Sequence, residues 1–123
     1  MPTVGSLATM RLPEPTFFIL TALTDQPLHG YGVMRAIREL SGGRLDLRPG
    51  TLYAALDRLT EDGLLVVDRE EAVDGRLRRY YRLTDAGAAT LSAEVDQLRA
   101  NATIAATRLR RRSAPRLALG GGR

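Results

Sequence analysis

The chain has 123 residues, 44% of them hydrophobic and 26% charged, which suits one globular core and is too short for two. It has no cysteine and a single histidine, His29, so disulfides, thiolate metal sites, cysteine nucleophiles and histidine-pair chemistry within one chain are excluded. The formal charge of +4 is unevenly placed: every basic residue is arginine, six of the 18 follow residue 107 where there is no acid, and the other 12 face 14 acids. The body is therefore near neutral, and any nucleic-acid reading has to rest on local placement of charge.

No run approaches the roughly 18 apolar residues of a membrane span. Met1 to Met10 lacks the cationic flank and apolar stretch of a signal peptide. A cytoplasmic protein with no membrane partner is expected. The chain shows no nucleophile–base pair, metal-ligand cluster or glycine-rich phosphate loop, so neither an enzyme nor a cofactor is expected.

In chain order, residues 1–14 read as a flexible arm. Pro15 to Leu23 is a dense apolar run that predicts a first helix, stopped by Asp25, Gln26 and Pro27. A second helix is predicted from about Gly30 to Leu40, with Val33, Met34, Ile37 and Leu40 on its apolar face and Arg35, Arg38 and Glu39 outward. Arg44-Leu45-Asp46-Leu47 alternates and is compatible with a short strand. Pro49-Gly50-Thr51 opens a third helix reaching about Asp62, because proline suits a first turn. Its buried stripe is Leu52, Ala55, Leu56 and Leu59, and Thr51, Tyr53, Ala54, Asp57 and Arg58 lie on or beside the opposite face. Gly63 is placed to end it.

Two strands follow, Leu64 to about Glu71 and Arg76 to Leu83, around Val73-Asp74-Gly75, an Asp-Gly hairpin signal. Thr84 caps a long last helix with Asp85 in its first turn. Along that helix Ala88, Leu91, Val95, Leu98, Ala102, Ala105 and Leu109 step by alternating threes and fours, a heptad seam that calls for a partner helix. Folding back on its own domain is the other use of such a seam. Residues 113–123 read as a disordered tail.

This order predicts a mainly α fold with a small β-hairpin wing: a winged helix-turn-helix over 15–83 and a dimerisation helix over 84–112. In that fold the third helix enters the DNA major groove and the hairpin reaches the backbone or minor groove. Arg76, Arg78, Arg79 and Arg82 lie close together without an acid, and alternation puts Arg76, Arg78, Tyr80 and Arg82 on one face. Such a row suits phosphate contacts. The candidate DNA-binding set is Tyr31, Arg48, Pro49, Gly50, Thr51, Tyr53, Arg58, Arg76, Arg78 and Arg79. Tyr31 reads equally as a packing residue, half-buried packing is the alternative to DNA contact for Tyr53, and Tyr80 and Tyr81 read as fold residues.

Three motifs then carry a resemblance over about residues 15–110. They are Leu28-His29-Gly30-Tyr31-Gly32, the run Gly50-Thr51-Leu52-Tyr53-Ala54-Ala55-Leu56-Asp57-Arg58-Leu59 with Gly63-Leu64, and Arg79-Tyr80-Tyr81-Arg82-Leu83-Thr84-Asp85-Ala86-Gly87. In this order they resemble the PadR-like family of bacterial transcriptional regulators, in its smaller subtype with a single C-terminal helix. The resemblance implies a homodimeric repressor at a dyad-symmetric operator, with Thr51 and Tyr53 on the recognition helix and Arg76 and Arg78 on the wing as DNA contacts. It also implies release by an aromatic or drug-like effector near the dimer interface. Ala54 stands where the family often has proline, Asp57 where it is often basic, and the chain has no tryptophan to line a drug pocket. The alternative reading is a protein-interaction module that has lost DNA binding.

Overall fold

The computed structural model describes residues 11–122, with side chains through Ser113; the start of the expected arm, residues 1–10, lies outside the described residues. The elements are α1 (Glu14–Ala22), β1 (Leu28–His29), α2 (Gly30–Leu40), α3 (Pro49–Glu61), β2 (Leu65–Val73), β3 (Arg76–Leu83) and α4 (Asp85–Gly122). They divide into two units, one ending at Leu91 and a second beginning at Ser92.

The first unit is built around the apolar faces of three helices and one sheet face. Ile19, Leu20, Val33, Ile37, Leu52, Leu56 and Leu65 are fully buried, with Leu59, Tyr81 and Leu91 beside them. The α3 stripe is buried as its spacing predicts. On α2, Val33 and Ile37 are buried, Met34 is partly buried against the core, and Leu40, in the last turn, is largely exposed. The α2 stripe is thus one turn shorter than expected.

The sheet has the order β1-β3-β2, all antiparallel. Its third strand is Leu28–His29, which pairs with Tyr81 and Tyr80. The 44–47 segment is not a strand. The edge of β3 away from β2 is taken by β1, and 44–47 joins neither outer edge of the sheet. The alternation of 44–47 is used otherwise: Leu45 and Leu47 pack partly against the core. The Ser41 hydroxyl accepts the Leu45 N–H at 2.9 Å, while Arg44 donates to both Glu14 carboxylate oxygens at 2.9 and 2.8 Å.

The hairpin closes as expected, with Asp74 at φ 51° and Gly75 at φ 76°. Two consecutive left-handed residues give the tight turn whose twist matches the strands. Register then follows from the turn, pairing Val73 with Arg76 and Glu70 with Arg79, until a bulge between Val67 and Arg69 shifts it. Thr84 joins the hairpin to α4. Its hydroxyl accepts the Gly87 N–H at 2.9 Å and donates to the Gly63 carbonyl at 2.7 Å.

The second unit is the helix from Ser92. Helical backbone runs past 112, the expected end, to Gly122. Val95 and Leu98 are half-buried, and Ala102, Ala105 and Leu109 are exposed. Leu91, the first of the expected dimerisation residues, is 9% exposed and packs in the core of the first unit.

Candidate nucleic-acid interface

Three surfaces of the first unit meet in one arrangement: the outer face of α3, the N-terminus of α2 and the β3 side of the hairpin. Between them lies an open cleft of about 660 Å³, lined among others by His29, Tyr31, Tyr53, Asp57, Arg76 and Arg78. Residues from five elements, 29 to 81 in sequence, are brought together here.

The α3 wall is set by its buried stripe. Because Leu52, Ala55, Leu56 and Leu59 turn inward, Thr51, Tyr53, Ala54, Asp57 and Arg58 must turn outward, and all are exposed. Arg48, Pro49 and Gly50 form its exposed start. No side chain caps that start, so its first backbone N–H groups are free to meet an acceptor.

Tyr53 is 40% exposed, and its ring lies directly over the α carbon of Gly30. A Cβ at Gly30 would collide with the ring and hydroxyl. Gly30 therefore allows the close approach that aims Tyr53 along the cleft. Burial, followed by the Tyr31 and Tyr81 hydroxyls, pushes the Tyr53 hydroxyl above its ordinary range, against the opposing pull of Arg76 and Arg78. It stays protonated and can donate a hydrogen bond. Tyr31, at 56%, is more exposed still.

The wing divides its arginines by register. Arg79 forms an ion pair with Glu70 at 3.1 Å, its cross-strand neighbour. A hydrogen bond to Tyr81, then that ion pair, stabilise its charged form. Arg82 pairs with Asp68 at 3.3 Å, at the bulge. Arg76 and Arg78 form no ion pair among the described residues. Of the four arginines expected to act together, Arg79 and Arg82 carry ion-pair partners, Arg76 has none among the described residues, and Arg78 stands across from Glu71 without an ion pair, Glu71 being held by Arg69.

Beneath Arg78, His29 and Tyr80 form a tilted ring pair at 5.3 Å, and the Arg69 guanidinium sits 4.0 Å from the Tyr80 ring centre. Burial, and then the charges of Arg78 and Arg35, hold His29 below its ordinary imidazole value. Tyr81 is buried in the core, as a fold residue should be. Sequence reasoning missed the Gly30–Tyr53 approach, the place of His29 in the cleft, and the pairing of Arg79 and Arg82. The Glu70–Arg79 pair was legible in principle, since a two-residue turn at Asp74-Gly75 fixes which residues face each other.

Among the described residues no group of His, Asp or Glu is arranged to hold a metal ion, and no helix is long and apolar enough to cross a membrane.

Comparison with known proteins bears on the same region. A family model described as the PadR-like family of transcriptional regulators matches residues 19–93. A transcriptional regulator of Mycobacterium tuberculosis, Rv3488, is 46% identical over 74 residues, which are 60% of this chain and 65% of that protein. The regulator YqjI of Escherichia coli is 32% identical over 85 residues, 69% of this chain and 39% of that protein. The chain thus spans less than two thirds of the length of either relative. Among solved structures, Bacillus subtilis PadR in complex with operator DNA is 25% identical, with a TM-score of 0.58 over 65% of this chain and 46% of that one. A PadR family regulator from Clostridium difficile has the same fold, at 24% identity and a TM-score of 0.67, over 79% of this chain and 99% of that one.

Proposed function

Because this chain belongs to the PadR-like family of transcriptional regulators, we propose that it binds double-stranded DNA as a homodimer and represses transcription at a dyad-symmetric operator. The observation that carries the reading is the pairing of an exposed α3 face with two arginines, Arg76 and Arg78, that lack ion-pair partners among the described residues across a shared cleft. The α3 face, from Arg48 through Thr51, Tyr53 and Arg58, supplies side chains to the major groove. Arg76 and Arg78 engage phosphates, and Tyr31 and the Tyr53 hydroxyl donate alongside them. Arg79 contributes less, because contact with phosphate competes with Glu70.

Further support comes from the operator-bound relative, which shares this fold. Two recognition helices held about one DNA turn apart would cover a promoter and exclude polymerase. An effector would act by binding a dimer geometry with a different spacing.

The test is fluorescence anisotropy with DNA from the gene's own upstream region, beside a scrambled duplex, at several salt concentrations. Tight, salt-sensitive binding to the upstream duplex alone is expected, and added effector candidates are then read by release. Replacing Arg76 and Arg78 together by alanine should lower affinity for both duplexes and reduce the salt slope by roughly 3 to 4, since a dimer loses four phosphate contacts at about 0.9 each. An unchanged slope and affinity would overturn the reading. It would favour the interaction-module alternative, for which Asp57, an acid in the cleft, is the specific support.

A further inference from the structure

Charge on the second unit is distributed unlike that of the rest of the chain. Arg108, Arg110, Arg111 and Arg112 are all exposed on α4. No acid follows Asp96 in the whole sequence. Twelve residues of helix separate Asp96 from Arg108, about 18 Å at 1.5 Å per residue. That exceeds the Debye length of about 10 Å at 0.1 M salt, so Asp96 does not neutralise the cluster.

The positions where a helix normally places counter-charges are empty of acids. Four residues before Arg108, Arg110 and Arg111 stand Ile104, Ala106 and Thr107, and four before Arg112 stands Arg108, a like charge. Among the described residues, Arg110 donates to the Thr107 hydroxyl at 3.4 Å. At 100° per residue, Arg108, Arg111 and Arg112 fall within a sector of about 100°, and Arg110 lies away from it. This is a one-sided, uncompensated cationic face on regular helix. A solvated face would be expected to mix signs, as the hairpin does with Asp68, Arg69, Glu70 and Glu71.

We infer that Arg108, Arg111 and Arg112 form a second phosphate-binding element, which engages the DNA backbone independently of base sequence. The inference rests on the DNA-binding reading above and deepens it. Through residue 107 acids outnumber arginines by two, so that part of the chain supplies no net attraction towards a polyanion. The positive surplus lies wholly beyond residue 107, and with it the long-range attraction that speeds encounter with DNA. The α3 face and the wing would then select sequence, and the α4 arginines would supply salt-sensitive, non-specific affinity.

The test compares the full chain with two triple variants, Arg108→Gln/Arg111→Gln/Arg112→Gln and the same three positions changed to Lys. A random-sequence duplex and the upstream duplex are titrated between about 50 and 200 mM salt. The Gln variant is expected to lose tenfold or more in affinity for the random duplex at low salt. Its log–log salt slope should fall by up to about 5, as about 0.9 for each of the six contacts a dimer loses implies. The Lys variant should keep the wild-type slope, because phosphate neutralisation needs charge; a guanidinium with a structural role would make both variants fail alike. Arg110→Gln alone should change little.

Equal slopes for wild type and the Gln variant would overturn the inference. If the upstream duplex is still preferred in that case, the DNA-binding reading stands without it. If the wild type binds both duplexes equally and the Gln variant loses that binding, the second element stands and the operator reading falls. No binding of either duplex by the wild type overturns both.

Discussion

Gly30 and Tyr53 show how a single hydrogen atom shapes the site. The ring of Tyr53 occupies the space a side chain at position 30 would need. Gly30→Ala should therefore push the ring outward, cost about 1–3 kcal/mol of stability as overpacking does, and weaken DNA binding by misplacing the hydroxyl. Denaturant unfolding checks the first part. In a Tyr53→Ala background the same change at Gly30 should cost far less, since the colliding atoms are gone, and that coupling separates the clash from any general effect on the helix start.

His29 supplies a pH dependence at the same scale. Its folded-state value lies below the ordinary 6.5 through burial, Arg78 and Arg35. The unfolded chain thus binds the proton more readily, so folding stability falls as pH drops through 6.5 and stops falling once the folded state also protonates. Glu14 and Glu71, held low by hydrogen bonds from Arg44 and Arg69, titrate beneath the ordinary 4.5 and so below the start of that window. A thermal-unfolding series from pH 8 to about pH 5 should show a shallower loss for His29→Gln than for wild type. Parallel curves would remove His29 from the account.

At the scale of elements, the hairpin and its junction with α4 determine where the wing arginines point. The Asp74-Gly75 turn sets the register, the register sets the Glu70–Arg79 pair, and the bulge sets Asp68 beside Arg69 and Arg82. Thr84 anchors the other end, bonding both the first turn of α4 and the Gly63 carbonyl after α3. Thr84→Val keeps shape but removes both bonds. It should cost about 1–2 kcal/mol in chemical unfolding, the range of a lost helix cap, with amide exchange rising first at Gly87. Uniform destabilisation without that local signature would mean the junction is not a distinct weak point.

For the whole molecule, the open question is assembly. Leu98 is half-buried and Leu109 is 63% exposed on α4, and Ala102 and Ala105 lie between them at heptad spacing. A dimer would cover this stripe, with small alanine layers allowing close approach. Leu98→Asp/Leu109→Asp should give monomers by light scattering while the thermal transition of the first unit persists. Operator affinity should then fall by orders of magnitude as bivalency is lost. Retention of the dimer would move the interface elsewhere.

Much of this protein was legible in its sequence because the signals are local. The α3 stripe, its start at Pro49, the Asp-Gly turn and the Thr84 cap each depend on residues within a few positions, and each stands where its spacing puts it. The exposed α3 face follows from the buried one. Other features needed the tertiary structure, because their causes lie far apart in the chain. The third strand is Leu28–His29 and not 44–47, since only packing decides which segment reaches the free edge of β3. Leu91 has heptad spacing but belongs to the core. Above all, four wing arginines look alike in sequence, and only the folded hairpin pairs Arg79 with Glu70 and Arg82 with Asp68 while Arg76 and Arg78 form no ion pair among the described residues. Periodicity specifies a residue's face; which groups meet on that face is set by contacts the chain makes only once folded.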